Sequence, residues 1–173
     1  MLKYTGYIRK IRYYSESSHY IVALLEVEED QELLTMNGYM SNFNDYDKYA
    51  FYGDFEIHPK YGQQFKLDHY EIVLSTDEEE IIKYLSSPLF KGIGPTQAKY
   101  IVDALGENAL SLIKEDKHHL DLVKGMTVAK RELIYEVLTS NDYDQEVTQF
   151  FMGHGISLRH IGIIQETYKE KTL

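Results

Sequence analysis

The chain has 173 residues, 43% of them hydrophobic, which allows one or two small domains with a sizeable core. It has no cysteine, which excludes disulfides, thiolate catalysis and Cys-ligated zinc or iron–sulfur sites. The net charge of −10 weighs against a phosphate-binding surface made by charge alone, so the local distribution of charge is more informative than the sum.

The first fourteen residues, MLKYTGYIRKIRYY, contain Lys3, Arg9, Lys10 and Arg12 and no acid, whereas Glu26 to Glu32 is acidic. No apolar stretch here resembles a signal peptide, and no run in the chain approaches the ~20 residues of a membrane span, so a cytoplasmic location away from membranes is expected. Of 16 Tyr and 7 Phe, 15 lie before residue 76. Aromatic and β-branched residues suit a pleated surface. Strands are predicted near residues 3–14, 19–28, 32–40, 48–57 and 64–73, separated by turn signals at Ser15–Ser18, Glu28–Gln31, Ser41–Asp47 and His58–Gln63. Phe51, Gly53, Phe55 and Ile57 alternate as one face of a strand, and so do Phe65, Leu67 and His69. Five strands without a helix predict a small closed or nearly closed barrel of the OB type.

His58-Pro59-Lys60-Tyr61-Gly62 falls between the last two strands. On OB barrels this loop commonly lines the nucleic-acid groove. Lys60 could then meet a phosphate and Tyr61 stack on a base. The alternative is an ordinary turn shaped by Pro59 and Gly62. Arg9 and Arg12 face the same choice between DNA contact and a solvated surface beside acidic neighbours. Most of the tyrosines are expected in the core or half-buried on the sheet, with a few at most available to stack on bases.

At Ser75 the period changes. STDEEEIIKYL offers Ser75 or Thr76 as a helix N-cap with Glu78 or Glu79 three residues on, a capping box followed by acids in the first turn. From there apolar residues recur at helical spacing, as in Ile101, Ala104 and Leu105, then Leu133, Ile134, Val137 and Leu138. The expected organisation is therefore two domains, β then α: a five-stranded OB-like barrel over 1–75 and an all-helical domain over 76–173.

Within the helical half three units align on Gly92, Gly125 and Gly155. Each glycine is followed by an apolar residue: Ile93, Met126 or Ile156. Leu89, Leu122 and Met152 stand three positions before the glycines, and Ile101, Ile134 and Ile164 nine after. A two-helix unit of this size must stack on its neighbours to bury a core. In the first copy Pro95 stands where its second helix would begin, a favoured position for proline. The second copy has Thr127, Val128 and Arg131 in place of Gly94, Pro95 and Ala98; the third has Ser157 and Leu158 in place of the first two. These two copies are expected to keep the fold and lose part of any ligand contact.

The Gly92-Ile93-Gly94 turn is not a dinucleotide fingerprint, because a helix rather than a strand precedes it and Gln97 stands at the third glycine position. No Gly-Lys-Ser/Thr loop exists for ATP. What remains is a hairpin aiming backbone N–H groups from a helix start, an arrangement that receives phosphate oxygens. Lys91 and Lys99 flank it. The seven histidines have no metal-ligand spacing, and HExxH, nucleophile-elbow and paired-carboxylate arrangements are missing, so neither catalytic residues nor a metal are expected.

Phe90-Lys91-Gly92-Ile93-Gly94 with Ala98 resembles the helix–hairpin–helix motif, whose amides hold DNA phosphates without reading sequence. The resemblance implies tandem repeats of this motif. It points to Lys91, Gly92, Ile93, Gly94, Thr96, Gln97 and Lys99 in the first copy, Lys124, Gly125 and Thr127 in the second, and Gly155 and Ser157 in the third. The whole chain, through YTGYIRKIRYY, GDFEIHPKYGQQFKLDHYE and KYLSSPLFKGIGPTQAKYIVDALGENAL, resembles the N-terminal region of RecD/TraA-type bacterial DNA helicases, in the form without RecB and RecC partners. That resemblance implies a 5′-to-3′ motor domain in the same polypeptide, holding ATP and Mg beyond Leu173, and single-stranded or branched DNA as partner. Two alternatives stay open. One is a Holliday-junction binder similar to RuvA, which also joins an OB barrel to such repeats. The other is an acidic module that docks a protein partner or a motor domain.

Overall fold

The computed structural model describes residues 1–140. These divide into two compact units, residues 1–73 and residues 74–140. The third glycine turn expected at Gly155, with Ser157, lies outside the described residues.

The first unit is five strands: β1 (Leu2–Tyr14), β2 (Tyr20–Val27), β3 (Leu33–Tyr39), β4 (Lys48–His58) and β5 (Gly62–Val73). They close in the order β1-β2-β3-β5-β4. All neighbours are antiparallel except β3 and β5, which run parallel through Met36↔Phe65 and Asn37↔Lys66. Around the closed belt no sheet edge is left open to pair with another chain. Strand β1 pairs with both β2 and β4, and its register shifts between Ile8 and Lys10 and between Ile11 and Tyr13 let this long strand bend around the barrel. Gly6 sits where both pairings meet; a Cβ there would lie 1.9 Å from the Glu26 carbonyl oxygen, so a side chain would force these strands apart.

Inside are Ile8, Ile21, Leu25, Met36, Tyr49, Phe51 and Phe65, each at most 1% exposed. Each such side chain contributes about 1.5–3 kcal/mol by leaving water. The Tyr49 phenol is buried among them and accepts from the Asn44 N–H at 3.1 Å; burial pushes its pKa up. The inward alternation does not run the length of β4. Phe51 and Gly53 are buried, but Phe55 and Ile57 are exposed, because β1 pairs with β4 only through residues 49–53 and the β4–β5 hairpin extends past it.

The second unit contains α1 (Glu78–Leu85), α2 (Pro95–Leu105), α3 (Ala109–Glu115) and α4 (Val128–Thr139), with 3₁₀ segments at Gly106–Asn108 and Lys117–Leu122. The N-cap of α1 is Asp77, not Ser75 or Thr76. Its carboxylate accepts from the Glu80 N–H at 3.0 Å, while the Ser75 hydroxyl donates to the Glu80 carboxylate. An ionised carboxylate is the stronger acceptor at a helix N-terminus, so it takes the cap. The core is one cluster drawn from all four helices, including Ile81, Phe90, Ile101, Ile113, Leu120 and Ile134. Among the described residues no helix is long and apolar enough to cross a membrane.

Candidate nucleic-acid interface

On the barrel, the sequence-derived candidates are not equivalent. Arg9 is engaged: its Nε and Nη2 donate to both carboxylate oxygens of Glu26 at 2.7 and 3.2 Å, and its guanidinium lies 4.9 Å from the centre of the Tyr7 ring. The mutual hydrogen bond holds the guanidinium pKa up and the Glu26 carboxyl below its ordinary range. Arg12 is exposed and forms no ion pair among the described residues. At the hairpin tip the backbone N–H groups of Lys60 and Tyr61 donate to His58 Nδ1 at 3.1 and 3.2 Å. Tyr61 is 64% exposed, with the His58 ring 4.9 Å away and Lys60 Nζ 5.3 Å from its ring centre. The loop is thus a turn capped by its own histidine that still presents an aromatic ring and an ammonium to solvent.

The first glycine turn follows α1 after a short irregular stretch rather than directly. Phe90 N–H donates to the Ser87 carbonyl, Ile93 N–H to that of Phe90, and Ala98 N–H to that of Gly94. Phe90, Ile93 and Ala98 are buried, which fixes the turn on the core. Gly92 has φ +86°, a conformation costing most residues about 1–2 kcal/mol. Gly94 is the N-cap of α2, with φ −92° and no side-chain cap, and the first turn of α2 contains no acid. Among the described residues, a Cβ added at Gly92 or Gly94 would meet nothing within 4 Å. Lys91, Gly92, Gly94, Thr96 and Lys99 are exposed and Gln97 is half-buried. This helix start is therefore an open, positively polarised end flanked by two lysines.

The second turn repeats the backbone frame: Val123 N–H donates to Leu120, Met126 N–H to Val123, and Arg131 N–H to Thr127. Gly125 has φ +76°. Its helix start is different, because the Thr127 hydroxyl accepts from the Lys130 N–H at 3.2 Å. Arg131 donates to Asp121 and Glu132 at 2.8 and 3.1 Å, Lys117 donates to Glu132, and His118 bonds Asp121. These bonds hold both carboxyls below their ordinary range, Asp121 chiefly through Arg131 and Glu132 chiefly through Lys117. Sequence reading missed the contact that brings the turns together: Gln97 Nε2 donates to the Lys124 carbonyl at 3.0 Å. Lys124 Nζ lies 5.3 Å from the centre of the Tyr100 ring on α2. No sequence signal marks this pair, since its members are far apart in the chain.

Among the described residues no group of three His, Asp or Glu side chains could hold a metal ion. The first unit defines the class of fold: a closed, five-stranded OB-like barrel, here followed by a helical region. Residues 1–75 match the family model described as the OB-fold domain of the ATP-dependent DNA helicase YrrC.

Proposed function

We propose that the chain is a DNA-binding accessory region of a RecD-like, 5′-to-3′ ATP-dependent DNA helicase acting in recombination and repair. The family match of the barrel supports a helicase setting with a motor in the same polypeptide. In this reading that motor, and not the residues of this chain, holds ATP and Mg. In this reading the two glycine turns belong to tandem helix–hairpin–helix units, and the first grips phosphate without reading bases. One observation carries it: among the described residues, the α2 N-terminus has no side-chain cap, no acid in its first turn and open space over both glycines. Folding alone does not require glycine at 94, where φ is negative and a Cβ has room, but close approach of a phosphate backbone does.

Gly94→Asp tests this, because it sets stability against binding. The new carboxylate caps α2 and complements its dipole, adding roughly 0.5 kcal/mol, while repelling phosphate. The expected result is an unchanged or higher Tm with affinity for duplex and single-stranded DNA reduced about tenfold. Wild-type affinity falls as salt rises. Unchanged binding by the variant would remove the first turn from the interface. Selective binding of a four-way junction would favour the RuvA-like alternative.

A protein-docking reading has its own support at the second turn, where Leu122 is 78% and Val128 66% exposed in a chain of net charge −10. Failure to bind any DNA at low salt would favour it.

A further inference from the structure

The β4–β5 hairpin outruns the strand beside it. Strand β1 begins at Leu2, opposite Gly53, and among the described residues no strand pairs with residues 55–58 on that side. The other side of the hairpin is covered. Asn37 of β3 donates to Gln64 Oε1 at 2.7 Å and to Glu56 Oε1 at 3.0 Å, and Gln64 is buried. In an antiparallel ladder alternate residues turn their N–H and C=O groups to opposite sides. Residues 55–58 therefore hold backbone donors and acceptors directed away from β5, in line with the end of β1. An unpaired edge of this kind is a template for another strand.

Side chains along this edge alternate in character. Phe55 and Ile57 continue the phase of Phe51 and Gly53, and past the end of β1 both become exposed, Ile57 to 84%. Phe55 still leans on the barrel, its ring centre 6.1 Å from that of Tyr4 and 5.6 Å from that of Phe65. Packing accounts for Phe55 and not for Ile57. Asp54 and Glu56 stand on the opposite phase. The Met1 ammonium lies 3.7 Å from Asp54 Oδ1, so a cation already sits where the line of β1 reaches this carboxylate. The acids select among occupants. They repel phosphate, which disfavours nucleic acid. A second copy pairing antiparallel through this edge sets Glu56 against Glu56 when centred there, or Asp54 against Glu56 when centred on Phe55. Like charges directly opposite are destabilising. A strand with basic residues opposite the acids and apolar residues opposite Phe55 and Ile57 satisfies both faces.

We propose that residues 55–58 of β4 are a strand-addition site for a partner protein, which contributes an extended segment of alternating basic and apolar residues. Main-chain hydrogen bonds supply the affinity and the alternating side chains the specificity. The site belongs to the barrel alone. It goes beyond the DNA-binding reading and stands whether or not the glycine turns hold phosphate.

The test titrates the 173-residue chain into a fluorescein-labelled peptide of alternating lysine and valine and reads fluorescence anisotropy. Saturable binding is expected, and a peptide of the same composition with its lysines grouped binds several-fold more weakly. N-methylation of one alternate set of peptide amides abolishes binding and of the other set leaves it, because an added strand turns only every second amide to the edge. Ile57→Ser and Asp54→Lys each raise the Kd several-fold. Ile57→Ser leaves the Tm and the affinity for DNA unchanged, since its side chain is exposed and outside the glycine turns. Failure of this site and failure of the DNA-binding reading are therefore told apart. No saturable binding, equal binding of the grouped peptide, or indifference to N-methylation overturns the site. Weaker oligothymidylate binding by Ile57→Ser would assign the edge to nucleic acid, and a dimer dissolved by Ile57→Ser would assign it to a second copy; either result overturns the partner-protein proposal.

Discussion

The turns at Ser87–Ala98 and Leu120–Arg131 share one hydrogen-bond frame and differ in what they leave open. Both place a glycine at positive φ, and both donate N–H groups back to equivalent carbonyls. The first anchors on Phe90, leaves its helix start without a side-chain cap and has Ala98 on the following turn of helix. The second anchors on Val123, caps its helix with Thr127 and ties Arg131 into a charge network. A backbone frame is thus set by a few glycine and apolar positions. Whether a helix end is available to a ligand depends on whether the chain has already satisfied it.

That contrast can be sharpened by substitution, beginning with the anchors. Phe90→Ala should cost about 3–5 kcal/mol in urea unfolding, and Val123→Ala only about 1–2 kcal/mol, because the aromatic ring leaves the larger cavity. Equal costs would mean that the two turns are anchored alike. At the helix starts, Thr127→Ala should cost about 1 kcal/mol through loss of its cap, whereas Gly94→Asp should gain stability. A loss of stability in Gly94→Asp would contradict the open helix end.

Ser87 and Leu120 occupy the same place in the frame, and the Ser87 hydroxyl is buried with no hydrogen-bond partner among the described residues. Ser87→Ala removes an unpaired polar group and is expected to stabilise the unit by up to about 1 kcal/mol. A clear destabilisation would mean that the hydroxyl is satisfied after all.

The smallest expected effect is on pH dependence. Asp121 and Glu132 have carboxyl pKa values lowered in the folded state. Their contribution is therefore present above the ordinary carboxylate pKa of about 4 and is lost as pH falls through the folded values. Both groups lie at the surface, so the effect is weak and weakens further with salt. Arg131→Ala should flatten the acid side of the stability curve. An unchanged slope would show that the network adds nothing.

The strands were legible because the barrel is lined by aromatic and branched residues at period two, as in Phe65 and Leu67. The glycine turns were legible because positive φ selects glycine, as at Gly92 and Gly125. The cap of α1 was missed by a residue or two, since Ser75, Thr76 and Asp77 are all good caps and only the fold shows which carboxylate or hydroxyl reaches the Glu80 N–H. Among the site residues, Arg9 could not be separated from Arg12 in one dimension. Its pairing with Glu26 depends on the β1–β2 register.

The sequence by itself determined the order of elements, strands then helices, and the places where the backbone must turn, because these depend on residue type and short-range period. Tertiary structure alone decided which distant residues meet. It closed the barrel through the parallel β3–β5 pairing and joined Gln97 to Lys124. Those contacts depend on register and on packing across many residues, and local propensity carries neither.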